Sequence, residues 1–248
     1  MDRRHFLFAA GAFGVAGFAQ ASESRLGNML GAARKGAAAA SLSDEDVRAY
    51  GAQMVTYADA QHRVAPAGNS YAQRLATITR GLEEDNGLRM NYKVYLDPQI
   101  NAMVTPDGSV RVYSGLLDAF TDDEIRFVMG HEIGHVAHNH TRKRLQTALA
   151  ASAARDAAAS SGSGRVAQLA DSQLGGLLER VVAAQHSQGN EREADDYGMQ
   201  FMARRNYDRK AAVSALDKMA AMGGGGVSWL STHPDPKRRA DRMRKQVG

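Results

Sequence analysis

Two histidines that enclose a glutamate form the most chemically capable stretch of this sequence, His131-Glu132-Ile133-Gly134-His135. On a helix, residues four apart share one face and lie about 6 Å apart along the axis. Two neutral imidazole nitrogens on that face can bind one Zn²⁺. Glu132 lies about 100° round the helix from His131, where its carboxylate can take a proton from a water that the metal activates. The stretch therefore predicts a hydrolytic zinc site, and the competing interpretation is a chance histidine-rich patch on an ordinary helix.

A catalytic zinc site needs a third protein ligand. His138 follows His131 by seven residues, about 10.5 Å along a helix, which is too far for both to bind one ion. His140 points to another face of the same predicted helix and is interpreted as a structural histidine of the core. The third ligand is therefore expected from another segment.

The segment Gly189–Gly198, with the sequence GNEREADDYG, offers the best candidates. Glu191 and Asp195 are four residues apart and share a helix face, whereas Glu193 points away. Glu191 can bind the metal, and Asp195 can accept a hydrogen bond from the second ring nitrogen of a ligand histidine. A solvated acidic helix face is the alternative interpretation of the same residues.

His233 lies in GGGGVSWLSTHPDP, after four glycines and before two prolines. Glycines leave the backbone free and prolines stiffen it, so this histidine can swing towards a metal. Three roles stay open: a fourth ligand that holds the enzyme latent, a hydrogen-bond donor to the oxyanion of the transition state, or a structural loop histidine.

The elements that must position these residues follow from periodicity and capping. Thr121 and Glu124 form a capping box, and the helix they begin is predicted to run through both histidines to about Ala150. Alternating residues predict a small sheet of about three strands, within 91–97, 100–105 and 109–115. Residues 151–176 are predicted to form two weak helices around a flexible break. The other predicted helices cover residues 41–64 (capped by Ser43), 70–85, 177–204, 209–222 and 234–247.

The first 21 residues have the layout of a secretory signal peptide: Arg3 and Arg4, an apolar run from Phe6 to Ala19, and a small-residue site ending at Ala21. Both the twin-arginine and the general secretory route fit this layout, and an uncleaved membrane anchor is the alternative. Residues 22–41 are expected to be a loose leader and residues 42–248 the folded domain. The expected location is the periplasm.

Composition excludes several classes of site. The net charge of +4 shows no basic block, so nucleic acid is not an expected partner. The chain has no cysteine, which excludes disulfides, cysteine-ligated metals and a cysteine nucleophile.

Several motifs together resemble the metallopeptidase family that includes the CAAX prenyl proteases, HtpX and the mitochondrial OMA protease. Within that family the likeness is to small bacterial periplasmic members of the low-osmolarity-inducible outer-membrane protease type. The motifs are NYKVYLDPQINAM, RVYSGLLDAFTDDEI, GHEIGHVAHNH, SQLGGLLE, EREADDYG and THPDPKRRADR. The resemblance implies one Zn²⁺ per chain, bound by His131, His135 and Glu191, with Glu132 as general base and Asp195 orienting a ligand. It also implies that Asn101, Ala102 and Met103 form the edge strand that binds substrate.

The implied fold is α+β and mostly helical, a zincin-like (gluzincin) domain with its small sheet packed on the zinc-binding helices. The implied function is a zinc endopeptidase that cleaves misfolded or unassembled envelope proteins. An alternative is a zinc-binding, chaperone-like quality-control factor with little or no proteolysis. Outer-membrane assembly factors or other proteases are compatible partners. A lipid anchor is not expected, because the lipoprotein members of the family carry a cysteine after the signal and this chain has none.

Overall fold

The computed structural model describes residues 41–85, 87–156, 171–223 and 227–247. The predicted signal peptide and all but the last residue of the predicted leader lie outside this range, as do residues 157–170 and most of the glycine run. The described residues from Leu42 to Ala148 and from Asp171 to Val247 belong to one compact unit, which holds every predicted site residue. Ser41 and the helix end from Leu149 to Asp156 belong to a second unit.

Helices make up most of the described chain, and none of them is long and apolar enough to cross a membrane. The helices are α1 (Asp44–Gln61), α2 (Ser70–Ile78), α3 (Ser114–Ala119), α4 (Asp122–Ala137), α5 (His140–Asp156), α6 (Asp171–Ala183), α7 (Gln188–Arg204), α8 (Lys210–Met222), α9 (Trp229–Thr232) and α10 (Pro236–Val247). Ser43 caps α1, as the sequence predicts, and it does so through a capping box with Asp46.

A three-stranded sheet stands beside these helices. Its strands are β3 (Asn91–Tyr95), β4 (Ala102–Val104) and β5 (Ser109–Tyr113), and a separate two-residue hairpin precedes them, β1 (Glu84–Asp85) with β2 (Leu88–Arg89). The strand order is β3-β5-β4, with β3 parallel and β4 antiparallel to β5. The predicted class, α+β and mostly helical with one three-stranded sheet, is confirmed, and β4 is an edge strand.

The helix predicted from Thr121 to Ala150 breaks, so that part of the prediction is wrong. α4 ends at Ala137 and α5 begins at His140. Asn139 between them has φ +59°, a left-handed conformation that asparagine tolerates better than most residues. The backbone N–H of His138 still bonds to the carbonyl of Gly134 at 3.0 Å, which closes the last turn of α4. The chain therefore changes direction directly after the histidine motif.

The single helix predicted over 177–204 also divides in two. α6 ends at Ala183 and α7 starts at Gln188. Ser187 caps α7 by accepting a hydrogen bond from the Asn190 backbone N–H at 3.2 Å. A serine at this position competes well with helix continuation because its side chain satisfies an otherwise unbonded donor.

Short elements also depart from the sequence prediction. The helix predicted over 70–85 ends at Ile78, where Thr79 donates from both its backbone N–H and its hydroxyl to the carbonyl of Leu75. Gly81 follows with φ +78°, outside the helical region. The β1–β2 hairpin and the short helices α3 and α9 are additions that the periodicity did not indicate.

α4 and α7 pack closely because glycines line their contact. A Cβ on Gly134 would lie 2.9 Å from Cβ of Tyr197 and 3.1 Å from the Ala194 backbone. A Cβ on Gly130 would lie 2.8 Å from the Phe201 ring. The missing side chains let the histidine helix and the Glu191 helix approach each other, which brings the predicted metal ligands together.

Candidate metal centre and active site

The two histidines of α4 converge in the interior of the protein. His131 and His135 are 0% and 1% exposed, and their Nε2 atoms lie 3.0 Å apart. The capping box of Thr121 and Glu124 fixes the start of this helix, with Thr121 N–H donating to Glu124 Oε2 at 2.8 Å. Both imidazoles therefore point at one place, as their spacing predicts.

Glu191 reaches the same place from α7. Its Oε1 lies 3.4 Å from His135 Nε2 and its Oε2 lies 3.8 Å from His131 Nε2. Both carboxylate oxygens are buried without a hydrogen-bond donor among the described residues. Glu193 does not join the group, because its side chain is 56% exposed and bonds to His140 instead.

These residues fit a metal ion. The buried Glu191 carboxylate accepts no hydrogen bond among the described residues, and its one ion pair, with Arg239, involves only Oε2, so a metal ion bound by the carboxylate would offset the cost of its burial. Two imidazoles and one glutamate are also the ligand set of one class of catalytic zinc site. The ligand atoms of His131, His135, Glu191 and His233 all lie within 4.8 Å of one another.

Asp195 contacts the ring nitrogen of His131 that faces away from the other candidate ligands. Its Oδ1 lies 3.0 Å from His131 Nδ1, so the ring proton sits on Nδ1 and the Nε2 lone pair is free for a metal. Arg239 of α10 donates to both carboxylate oxygens, from Nη2 at 2.7 Å and Nε at 3.0 Å. Burial favours the protonated acid, but Arg239 and His131 outweigh it and lower the pKa of Asp195 to about 2.

Arg239 also faces the candidate ligand Glu191. Its Nη1 makes an ion pair with Glu191 Oε2, although the contact lacks hydrogen-bond geometry. Burial raises the pKa of Glu191 to about 8, even though the positive charge of Arg239 acts in the opposite direction. Burial and the same arginine lower the pKa of His131 to about 4, which keeps its imidazole neutral.

Glu132 lies beside the group of candidate ligands. It is 5% exposed, and Trp229 Nε1–H donates to its Oε1 at 2.7 Å. Burial raises the pKa of Glu132 to about 7, while the bond from Trp229 limits that rise. A carboxylate whose pKa lies near neutrality is suited to accept and return a proton at physiological pH.

Glu132 and the edge strand β4 line one cavity of about 500 Å³. Asn101, Ala102 and Met103 line it, and so do Glu132 and His135. β4 pairs with β5 through Ala102 and Met103, and the Tyr113 N–H donates to the carbonyl of Asn101 at 3.1 Å. The structure thus brings the predicted substrate strand and the predicted base to one cavity.

The comparison with known proteins agrees with this geometry. The profile of peptidase family M48 matches residues 69–247. The chain belongs to peptidase family M48. It is 41% identical to the metalloprotease LoiP of Escherichia coli over 209 residues, which cover 84% of this chain and 82% of LoiP. It is 38% identical to E. coli metalloprotease YcaL, over 84% of this chain and 83% of YcaL. The mitochondrial metalloendopeptidase OMA1 of Arabidopsis thaliana is 29% identical over 62% of this chain and 31% of its own length. This M48 chain is therefore a metallopeptidase.

His233 of this M48 peptidase is buried against the same centre, with 4% exposure. Its Nδ1 lies 3.0 Å from the carbonyl of Trp229 and 2.8 Å from the hydroxyl of Thr232, and its ring stacks on Trp229. Its Nε2 lies 3.4 Å from Glu132 Oε1 and has no hydrogen-bond partner among the described residues. Of the glycine run before it, only Gly223 lies in the described range.

Four residues near the centre of the M48 peptidase were not assigned to the site from sequence: His140, Arg144, His186 and Trp229. His186, in the segment between α6 and α7, is buried and stacks on His135 with ring centroids 3.6 Å apart. Burial lowers the pKa of His186 to about 2. Ser187, as a potential helix cap, was the signal that could have revealed the break between α6 and α7. Trp229, the only tryptophan in the chain, carried no positional signal.

Proposed function

We propose that this M48 peptidase is a zinc endopeptidase that cleaves unfolded or unassembled polypeptides in the bacterial cell envelope. The observation that carries the proposal is the convergence of His131, His135 and Glu191 on one buried point, next to a cavity that Glu132 and the edge strand β4 both line. Each part of this arrangement has a separate task in peptide hydrolysis.

His131, His135 and Glu191 would hold one zinc ion through two Nε2 atoms and the Glu191 carboxylate, which accepts no hydrogen bond among the described residues. When bound, zinc acidifies the attacking water and polarises the scissile carbonyl. Asp195 keeps His131 in the tautomer that leaves Nε2 free, and Arg239 keeps Asp195 ionised.

Glu132 takes the proton of the attacking water and returns it to the leaving amine. The Trp229 N–H holds one carboxylate oxygen in position, so the other oxygen is free to accept the proton. Burial keeps bulk water from competing for this proton.

β4 supports binding of an extended substrate. An open strand edge binds a peptide through main-chain hydrogen bonds, and these depend little on the peptide sequence. Asn101, Ala102 and Met103 lie at this edge, on the wall of the cavity that Glu132 also lines. Sequence-tolerant binding suits a protease whose substrates are unfolded chains.

His233 is proposed as a fourth ligand that holds the enzyme latent until substrate displaces it. Its Nε2 lacks a hydrogen-bond partner among the described residues and lies within 4.8 Å of all three other ligand atoms. A zinc site with three protein ligands leaves one position for water, which His233 would occupy in the latent state.

The cellular setting is part of the proposal. The signal-like residues 1–21 support export to the periplasm, where misfolded or unassembled envelope proteins would be the substrates. Outer-membrane assembly factors and other proteases are the proposed partners.

The test uses the purified protein without its first 21 residues and unfolded casein as substrate. We expect cleavage that a chelator abolishes and zinc restores. Glu132→Gln should bind one zinc per chain and cleave nothing, because the amide keeps the shape of the carboxylate but cannot accept the proton. Zinc binding without any cleavage by the wild type would support a chaperone-like factor instead. Normal turnover by Glu132→Gln would refute the proposed mechanism.

A further inference from the structure

A chain of hydrogen bonds links the second histidine of the motif to the protein surface. His135 Nδ1 lies 2.9 Å from His140 Nδ1, and His140 Nε2 lies 2.8 Å from Glu193 Oε2. His135 and His140 are each 1% exposed, whereas the Glu193 side chain is 56% exposed. The chain therefore starts at a candidate metal ligand and ends at a carboxylate in contact with water.

The proton on each ring follows from the contacts. If Nε2 of His135 binds the metal, its lone pair is used there, so the ring proton sits on Nδ1. That N–H can only donate to His140, whose Nδ1 must then accept. The proton of His140 is left on Nε2, where it donates to the Glu193 carboxylate. Each ring thus has one protonation pattern that satisfies both of its contacts.

We infer that His140 and Glu193 are positioning residues that orient His135 for metal binding. The inference rests on the proposed zinc binding by His135. Asp195 orients His131 by direct contact with its Nδ1. For His135 the carboxylate of Glu193 would act in the same way, but through the imidazole of His140. An acceptor on the far nitrogen fixes the tautomer and ring orientation of a ligand histidine and raises its basicity.

The break between α4 and α5 makes this contact geometrically available. In an unbroken helix, His140 would stand about 140° round the axis from His135, and the two rings could not meet. Asn139 in its left-handed conformation turns the chain, so α5 starts with His140 beside His135. α7 supplies Glu193 two residues after the candidate ligand Glu191, on the outward side of the same turn.

A second metal ion is the competing interpretation, because His135, His140 and His186 also bring their ligand atoms within 4.8 Å. Such an ion would need the Nδ1 of His135, and that atom then could not carry the proton that it shares with His140. The two interpretations differ in the number of ions bound per chain.

The test measures zinc affinity by competition with a chromophoric chelator, and unfolding by urea in the metal-free protein. Glu193→Ala is the main variant because removal of an exposed side chain does not threaten folding. We expect it to bind zinc several-fold more weakly and to unfold at the same urea concentration as the metal-free wild type. His140→Leu should weaken zinc binding roughly 10–100-fold, the usual effect of losing such a partner. His140→Gln should recover most of the affinity, because an amide can accept from His135 and donate to Glu193.

Gln200→Ala, an exposed substitution on the same helix, is the control and should bind zinc as the wild type does. Wild-type affinity in both Glu193→Ala and His140→Leu would overturn the inference. Two zinc ions per chain, with one lost in His140→Leu, would replace it with a second metal site. Zinc binding is measured without substrate, so a wild type that binds zinc but cleaves nothing refutes only the proposed function. A wild type that binds no zinc refutes both.

Discussion

The substitution Asp59→Asn tests how much the ion pair between Asp59 of α1 and Arg111 of the sheet contributes to stability. Arg111, in the central strand β5, is 2% exposed and donates to Asp59 from Nε at 2.7 Å and from Nη2 at 3.0 Å. Lys93 and Tyr95 each donate to the same carboxylate at 2.8 Å. Ala58, the neighbour of Asp59 in α1, lines the cavity next to β4, so this contact also fixes one wall of the proposed substrate site.

The size of the effect follows from the pKa of Asp59. Burial alone would raise that pKa, but the hydrogen bonds from Arg111, Lys93 and Tyr95 outweigh burial and lower it from 3.8 to about 2. At about 1.4 kcal/mol per pKa unit, the ionised form contributes about 2 kcal/mol to the free energy of unfolding. Because the pKa is lowered in the folded state, this contribution is complete above the unfolded pKa of about 4 and is lost as the pH falls towards 2.

The assay is urea unfolding of the metal-free wild type and Asp59→Asn at several pH values. Near neutral pH we expect the variant to be less stable by about 2–3 kcal/mol, and we expect this gap to shrink steadily in acid below about pH 4. Asp118→Asn is the control, because Asp118 is an exposed carboxylate that accepts from Tyr71 and should cost less than about 0.5 kcal/mol. A gap under about 0.5 kcal/mol for Asp59→Asn, or one that does not change with pH, would refute the reasoning.

Three further predictions concern the site and its scaffold. His233→Ala should raise turnover of a short peptide if His233 is a latch, whereas a drop of about 10²–10³-fold would identify an oxyanion donor. Gly134→Ala should lower the free energy of unfolding by about 1–3 kcal/mol in a urea titration, because the new Cβ would meet the Ala194 backbone at 3.1 Å, and an unchanged midpoint would contradict that packing argument. Alanine variants of the three predicted ligands, His131, His135 and Glu191, should lose bound zinc in metal analysis of the purified proteins. A variant that retains zinc would show that its residue is not a ligand.

Local rules account for the features that the sequence predicted well. The capping box at Thr121 needs only residues three apart, and the shared face of His131 and His135 needs only helical geometry. The sheet followed from alternation of side chains over short segments. Glu191 and Asp195 were placed together by the same spacing rule, and the structure puts both of them against the α4 histidines.

Tertiary contacts decide the features that the sequence did not predict. No propensity rule predicts that the helix stops at Ala137. The turn requires Asn139 to adopt a left-handed conformation, which asparagine tolerates but does not strongly prefer. His140 was predicted to be a structural histidine of the core, and it is buried and hydrogen-bonded, but its contact with His135 was missed because the prediction assumed an unbroken helix. His186 was missed for a similar reason, because its burial depends on a break between α6 and α7 that the sequence analysis did not predict.

Charge balance explains why these separate elements form one centre. Glu132, Glu191 and Asp195 are all buried, and among these contacts Arg239 is the cation that faces two of them. Arg239 bonds fully to Asp195 and lowers its pKa, but it makes only an ion pair with Glu191, whose pKa burial raises to about 8. Glu191 therefore needs a second positive partner to stay ionised near neutral pH. The imidazoles beside it cannot supply that charge, since burial keeps their pKa values low. A divalent cation held by the neutral imidazoles and Glu191, as proposed above, would supply it, so the buried carboxylate and the uncharged histidines both favour metal binding.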